Sequence, residues 1–130
     1  MEPFVAEGKL DPDLQLAKGI AHVNEFNSDA DLVIFCGDLT DKGDVQSYEM
    51  LKHRLVDLKV PYKLLLGNHD NRANFLSVFA DSEQDQNGFI QQTVDFSDTR
   101  LILLDTLNGP PYDYPFSHKG LLCEKRLSWL

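Results

Sequence analysis

Apolar residues recur along this chain with two different periods, and the switches between those periods mark out its elements. Residues 1–10, with Pro3 and Gly8 and no periodicity, read as a loop. Asp11-Pro12 then marks a helix start, a capping carboxylate followed by proline at the first helical position. Leu16, Ile20 and Val23 predict one buried stripe on that helix, which Asn27-Ser28-Asp29 ends. Residues 32–36 form an apolar run without alternation, the pattern of a parallel strand covered on both faces. Asp44 can cap the next helix, where Tyr48, Leu51, Leu55 and Leu58 share a face. Pro61 stops the connection before a second strand at 62–66. Residues 71–80 predict a third helix with Phe75, Leu76 and Phe79 apolar. Strand, helix, strand in this order predicts a right-handed parallel crossover.

The pattern changes after residue 80. The acidic stretch 81–88 reads as a solvated polar turn. Ile90, Gln92, Val94 and Phe96 then alternate with Gln91, Thr93 and Asp95, which predicts an amphipathic strand. A tight connection at 97–99 pairs it antiparallel with residues 100–104. A loop follows with Gly109-Pro110-Pro111 and the aromatics Tyr112, Tyr114 and Phe116. Residues 123–130 start a last helix with Leu127 and Leu130 apolar and no terminal cap. The fold class is α/β, a parallel βαβ core followed by an antiparallel strand pair.

Length and charge narrow the function. A chain of 130 residues is one ordinary domain in size, and 42% hydrophobic content with eight phenylalanines can fill a core. A formal net charge of −9 argues against nucleic-acid or anionic-membrane partners, which select basic faces. A phosphate ester stays admissible, because bound divalent cations reverse the local field. Two cysteines, Cys36 and Cys123, give no disulfide framework and fit a reducing compartment. The start lacks the basic and apolar regions of a signal peptide, and no apolar run approaches membrane-spanning length. A cytoplasmic location is the expectation.

The chemistry sits in two short runs, Gly37-Asp38-Leu39-Thr40-Asp41-Lys42-Gly43 and Gly67-Asn68-His69-Asp70. Each follows a predicted strand and precedes a predicted helix. Ligands in open α/β sheets bind at the carboxyl ends of strands, so neighbouring strands would bring Asp38, Asn68 and His69 together. A carboxylate, an amide oxygen and an imidazole can hold a metal or move a proton, and the set reads as part of a metal-dependent hydrolase site. It is only part, because a two-metal centre needs more ligands than Asp38 and Asn68 supply.

Gly-Asp-Leu-Thr-Asp-x-Gly followed thirty residues later by Gly-Asn-His-Asp resembles the calcineurin-like metallophosphoesterases. The likeness is greater to their bacterial class III cyclic nucleotide phosphodiesterase and glycerophosphodiesterase branch. Leu104-Asp105-Thr106, Gly120-Leu121-Leu122 and Leu127-x-Trp129-Leu130 extend it across most of residues 10–130. The resemblance implies a four-layer αββα sandwich and hydrolysis of small phosphodiesters at two divalent ions, Fe, Mn or Zn. It makes Asp38 the bridging ligand, Asn68 a ligand of the second metal, and His69 the residue that meets the phosphoryl group or protonates the leaving alkoxide. Asp70 would hold the far nitrogen of that imidazole. The family's Asp-x-His and Gly-His-x-His motifs do not occur in these 130 residues. The expectation is therefore a single partial domain over residues 1–130, with weak or partial metal occupancy. An inactive phosphoesterase-like scaffold, or a non-functional truncated fragment, is the alternative. Self-association through an exposed sheet, lined by Val33, Phe35, Leu65 and Ile102, is also expected.

Other candidates have plainer readings. His22 and His53 fall beside buried stripes and read as surface residues. His118 reads first as a loop histidine, with a place over the substrate site as the alternative. Asp105 either supports the site from behind or ends a strand in a turn. Cys36 reads as a small buried hydrophobe.

Overall fold

The computed structural model describes residues 10–109 and 118–130. The loop expected over 1–10 lies outside them apart from Leu10, as do the prolines at 110–111 and the three loop aromatics. The described elements are α1 (Pro12–Phe26), β1 (Val33–Cys36), α2 (Val45–Leu55), β2 (Tyr62–Leu65), α3 (Arg72–Val78), β3 (Gln92–Asp95), β4 (Arg100–Leu103) and α4 (Glu124–Trp129). The α/β class and the order of elements are as the sequence predicts.

Local chemistry sets the helix starts. The Asp11 carboxylate accepts the N–H groups of Asp13 (3.0 Å) and Leu14 (3.3 Å) at the head of α1. Asp44 accepts from Ser47 (3.0 Å) at α2, and Asn71 accepts from Asn74 (3.1 Å) at α3. Each side-chain oxygen satisfies a backbone donor that has no partner within its own helix.

β1 and β2 pair in parallel, with Val33 opposite Tyr62 and Cys36 opposite Leu65. This register ends both strands at one level, so the two motif loops leave the sheet side by side. β3 and β4 pair antiparallel, Gln92 opposite Leu103. The core lies beneath the parallel pair and is built by Ile20, Tyr48, Leu51, Leu55, Leu58, Leu64, Phe75 and Phe79 among others. Phe75 meets the Tyr48 ring edge-on at 5.6 Å and stacks on Phe79 at 4.9 Å. The stripes of α1 and α2 therefore face where their spacing points them.

Three expectations change. β1 is half-buried, with Cys36 exposed, rather than covered on both faces, and among the described residues it hydrogen-bonds to β2 alone. Val33, Phe35 and Leu65 are half-buried and Ile102 is 49% exposed. Gln91 is not on a polar strand face. It precedes β3, is 2% exposed, and donates its amide to Asp85 at 2.8 Å. Asp85 in turn is no free member of a solvated acidic turn, since it also accepts the N–H groups of Asn87 (2.8 Å) and Phe89 (2.9 Å).

Asp13 and Arg54 fasten α1 to α2, with Arg54 Nε 2.7 Å from the carboxylate. That hydrogen bond, the largest influence on Asp13, holds its carboxyl below the ordinary value of 3.8. A carboxyl depressed by folding adds stability above its unfolded pKa, and that stability is lost as pH falls through the folded value. Asp13→Asn should therefore lower the urea midpoint at neutral pH, and the difference should shrink as the pH is taken well below 3.8. Equal sensitivity of both proteins to acid would remove this pair from the account.

Candidate functional site

Gly37 and Gly67 close the two strands, and their backbones touch. A Cβ on Gly37 would lie 2.7 Å from the Gly67 nitrogen, and Gly37 itself has φ of +92°. A Cβ on Gly67 would collide with the Asp38 carboxylate and backbone nitrogen. Two residues without Cβ thus let the loops approach until Asp38 occupies the space a side chain at 67 would need. Asp38 adopts φ of +48°, a left-handed conformation that costs free energy in a residue other than glycine. The N–H of His69 donates to Asp38 Oδ1 at 3.1 Å, so the first loop's carboxylate is oriented by the second loop's backbone.

A buried carboxylate clamps the same two loops from below. Asp70 is fully buried and accepts the N–H groups of Gly67 (2.8 Å) and Leu39 (3.1 Å) and the Tyr48 hydroxyl (2.8 Å). Tyr48 Oη accepts the Asn71 N–H at 2.9 Å, which links the clamp to the start of α3. Burial raises the Asp70 pKa, with the donors from Gly67, Leu39 and Tyr48 pulling against it. Burial also pushes the Tyr48 phenol well up, so it stays an O–H donor. Both Asp70 oxygens, expected to hold the His69 imidazole, receive these donors from beneath the loops. The His69 ring is instead held by the Asp41 carbonyl, to which Nδ1 donates at 2.8 Å. That contact raises the His69 pKa above 6.5; burial opposes it, and the nearby charges of Asp38, Asp41 and Asp70 add to the rise. Nδ1–H is thereby engaged, and His69 is not among the residues that line the cavity shared by Asp38 and Asn68.

Asp38 and Asn68 line one cavity of about 260 Å³ with Cys36, Thr106 and His118. Cys36 is exposed here rather than buried, since β1 ends at the cavity mouth. His118 also departs from its plain reading: Asn68 Nδ2 donates to His118 Nδ1 at 2.9 Å. Fifty positions separate the two in the chain. The only hint in the sequence is that His118 lies in a loop, whereas His22 and His53 lie on helices. Those two are exposed, as expected, with His22 packed against Phe26.

Asp105 does not reach this cavity. Its carboxylate is fully buried and receives Arg72 Nε and Nη2 (both 2.7 Å), Ile90 N–H (2.9 Å) and Leu107 N–H (3.0 Å). Arg126, 3% exposed, approaches it to 3.6 Å and donates to its backbone carbonyl. Both guanidinium groups lie over the Phe89 ring. Asp105 offers no oxygen to a ligand. It fixes the strand end from which Thr106 and Leu107 form the cavity wall.

The donors fit a divalent cation in kind, a carboxylate and an amide oxygen on one wall beside an imidazole. The lack of a Cβ at Gly67 leaves room for the Asp38 carboxylate. They do not make a closed shell: among the described residues no three His, Cys, Asp or Glu side chains cluster closely enough to hold an ion. Nor is any described helix long and apolar enough to cross a membrane.

Known proteins similar to this chain point to one family. The family model described as "Calcineurin-like phosphoesterase" matches residues 7–129. A Rhodopseudomonas palustris protein named "Probable cyclic nucleotide phosphodiesterase" is 37% identical over 98% of this chain and 46% of its own length. An Arcobacter nitrofigilis "Probable glycerophosphodiester phosphodiesterase GpdQ" is 34% identical over 97% of this chain and 44% of its own. A "cAMP/cGMP dual specificity phosphodiesterase" of Mycobacterium tuberculosis is 28% identical over 95% of this chain and 38% of its own. The chain spans less than half the length of each of these relatives. The family match spans nearly the whole chain, and the chain belongs to the calcineurin-like phosphoesterase family.

Proposed function

We propose that this chain carries part of the active site of a metal-dependent phosphodiesterase acting on small diesters of the cyclic nucleotide or glycerophosphodiester type. The observation that supports this best is the convergence of Asp38 and Asn68 on one cavity, with Asp38 oriented by the His69 N–H. Asp38 and Asn68 would hold divalent ions through their oxygens. When bound, such ions supply Lewis-acid polarisation of the phosphoryl oxygens and a water of lowered pKa. His69, its Nδ1–H held by the Asp41 carbonyl, presents Nε2 to protonate the departing alkoxide. Its raised pKa favours the charged form that this donation needs. Asp70 and Tyr48 keep the two loops at the spacing on which this geometry depends. A cytoplasmic location and manganese, iron or zinc as the metal complete the reading.

The sparse donor set favours a second reading, a phosphoesterase-like scaffold without turnover. One experiment separates them. The chain is assayed alone and grafted into the Rhodopseudomonas relative in place of its matching segment, with bis(p-nitrophenyl) phosphate and Mn²⁺. The graft should hydrolyse the diester. Within it, Asp38→Ala should lose bound metal together with rate. His69→Ala should keep the metal and lower kcat by about 10²–10⁴, the range for a general acid. A folded graft that binds Mn²⁺ without turnover would establish the scaffold reading. Equal metal loss in both variants would move His69 from proton donor to ligand.

A further inference from the structure

His118 is a side chain that the structure places against the Asn68 amide, at the edge of the cavity. An amide is symmetric in shape but not in chemistry: one end accepts, or ligates through oxygen, and the other only donates. The choice falls to the amide's neighbours, and His118 Nδ1 lies 2.9 Å from Asn68 Nδ2. A ring nitrogen without a proton accepts from the NH₂ end, which leaves the carbonyl oxygen as the group offered to a cation. Reversed, the amide would present N–H donors to the ion and repel it.

The wall that carries His118 is itself anchored. The Leu121 N–H donates to the Thr106 carbonyl at 2.9 Å, next to the strand end that Asp105 fixes. A Cβ on Gly120 would come within 3.3 Å of the Thr106 side chain, so the segment runs close against residue 106. His118, Gly120 and Thr106 line the same cavity as Asp38 and Asn68. The imidazole is held on a fixed wall facing the motif loop, across a gap of one hydrogen bond.

We propose that His118 is a positioning residue for metal binding. It accepts from Asn68 Nδ2 and thereby commits Asn68 Oδ1 to the ion, a role that rests on the metal-site reading above. Groups that orient a ligand from behind typically change metal affinity by about 10–100-fold when removed. The test measures Mn²⁺ binding to the full chain from the loss of the free-ion electron paramagnetic resonance signal. Four proteins are compared: unaltered, Asp38→Ala, His118→Ala and His118→Asn. Thermal melting checks that each folds. His118→Ala should weaken Mn²⁺ by about 10–100-fold. His118→Asn keeps an acceptor near the position of Nδ1 and deletes Nε2, so it should recover most of the affinity. If His118→Asn is as weak as His118→Ala, the imidazole acts through Nε2 and the positioning role is wrong. If His118→Ala binds as the unaltered chain does while Asp38→Ala does not, this inference fails and the metal site stands. If Asp38→Ala also binds unchanged, the metal site itself is overturned.

Discussion

Replacing Asp105 by alanine is expected to cost about 3–5 kcal/mol of stability, the range for leaving buried charge without its partner. The carboxylate neutralises a pocket that holds two arginines, with Arg72 in two parallel hydrogen bonds and Arg126 almost wholly buried. Two backbone N–H groups, those of Ile90 and Leu107, also end on it. Removing it strands both guanidinium groups and two buried donors at once. Domains of this size hold about 5–15 kcal/mol in total, so the variant should be near the edge of folding at room temperature. Asp105→Asn should fare little better, because its NH₂ end must face groups that only donate. Breaking the exposed Arg100–Asp95 pair is the matched control and should leave the unfolding midpoint almost unmoved. Urea unfolding of the three variants decides this. An Asp105→Ala chain that unfolds at the unaltered midpoint would mean that the arginines find other partners, and the hub would lose its importance.

Asp105 also shows where the sequence stops being legible. Its place after a strand is visible from the apolar run at 100–104, and so is its likeness to a family motif. Its partners are not. They come from α3, the approach to β3, and α4, at separations of 33, 15 and 21 residues. Period and composition report which face of an element is apolar; they do not report which distant donor a carboxylate meets. The caps at Asp11 and Asp44 concern donors two or three residues away, and these were readable. The stripe Tyr48, Leu51, Leu55 was equally plain, but the hydroxyl that Tyr48 sends to Asp70 was not.

The candidate site divides in the same way. Two glycine-containing runs after two strands are local signals, and the parallel register then places Asp38 beside Gly67. The resemblance assigned Asp70 to the His69 imidazole. Burial turned its carboxylate inward instead, and the Asp41 carbonyl took the ring nitrogen. Cys36 read as core because apolar neighbours precede it, yet a strand's last residue faces whatever its end opens onto. His118 had no local mark, since its relation to Asn68 exists only once the second strand pair has returned the chain to the cavity.

Gly67→Ala should abolish most Mn²⁺ binding although every ligand atom remains in the chain. No positive φ demands glycine at this position, so the argument is one of space alone. The added Cβ would overlap the Asp38 carboxylate and also the Asp38 backbone nitrogen. A carboxylate can swing away. A backbone nitrogen moves only with its loop, and this loop is held by Asp70 through the Leu39 N–H. Relief therefore requires the two motif loops to part, which stretches the Asp70 clamp and breaks the bond from the His69 N–H to Asp38. Overpacking of this kind typically costs about 1–3 kcal/mol, which a folded chain can survive. Metal affinity depends on the distance between Asp38 and Asn68 and should fall about as far as in Asp38→Ala. Gly19→Ala is the control. Gly19 lies inside α1 with nothing within 4 Å of an added Cβ. That substitution should add about 0.5–1 kcal/mol of stability and leave the metal alone. Urea unfolding and Mn²⁺ titration on both variants give the answer. A Gly67→Ala chain that folds and binds Mn²⁺ like the unaltered protein would show that the close approach of the two loops is incidental to the site.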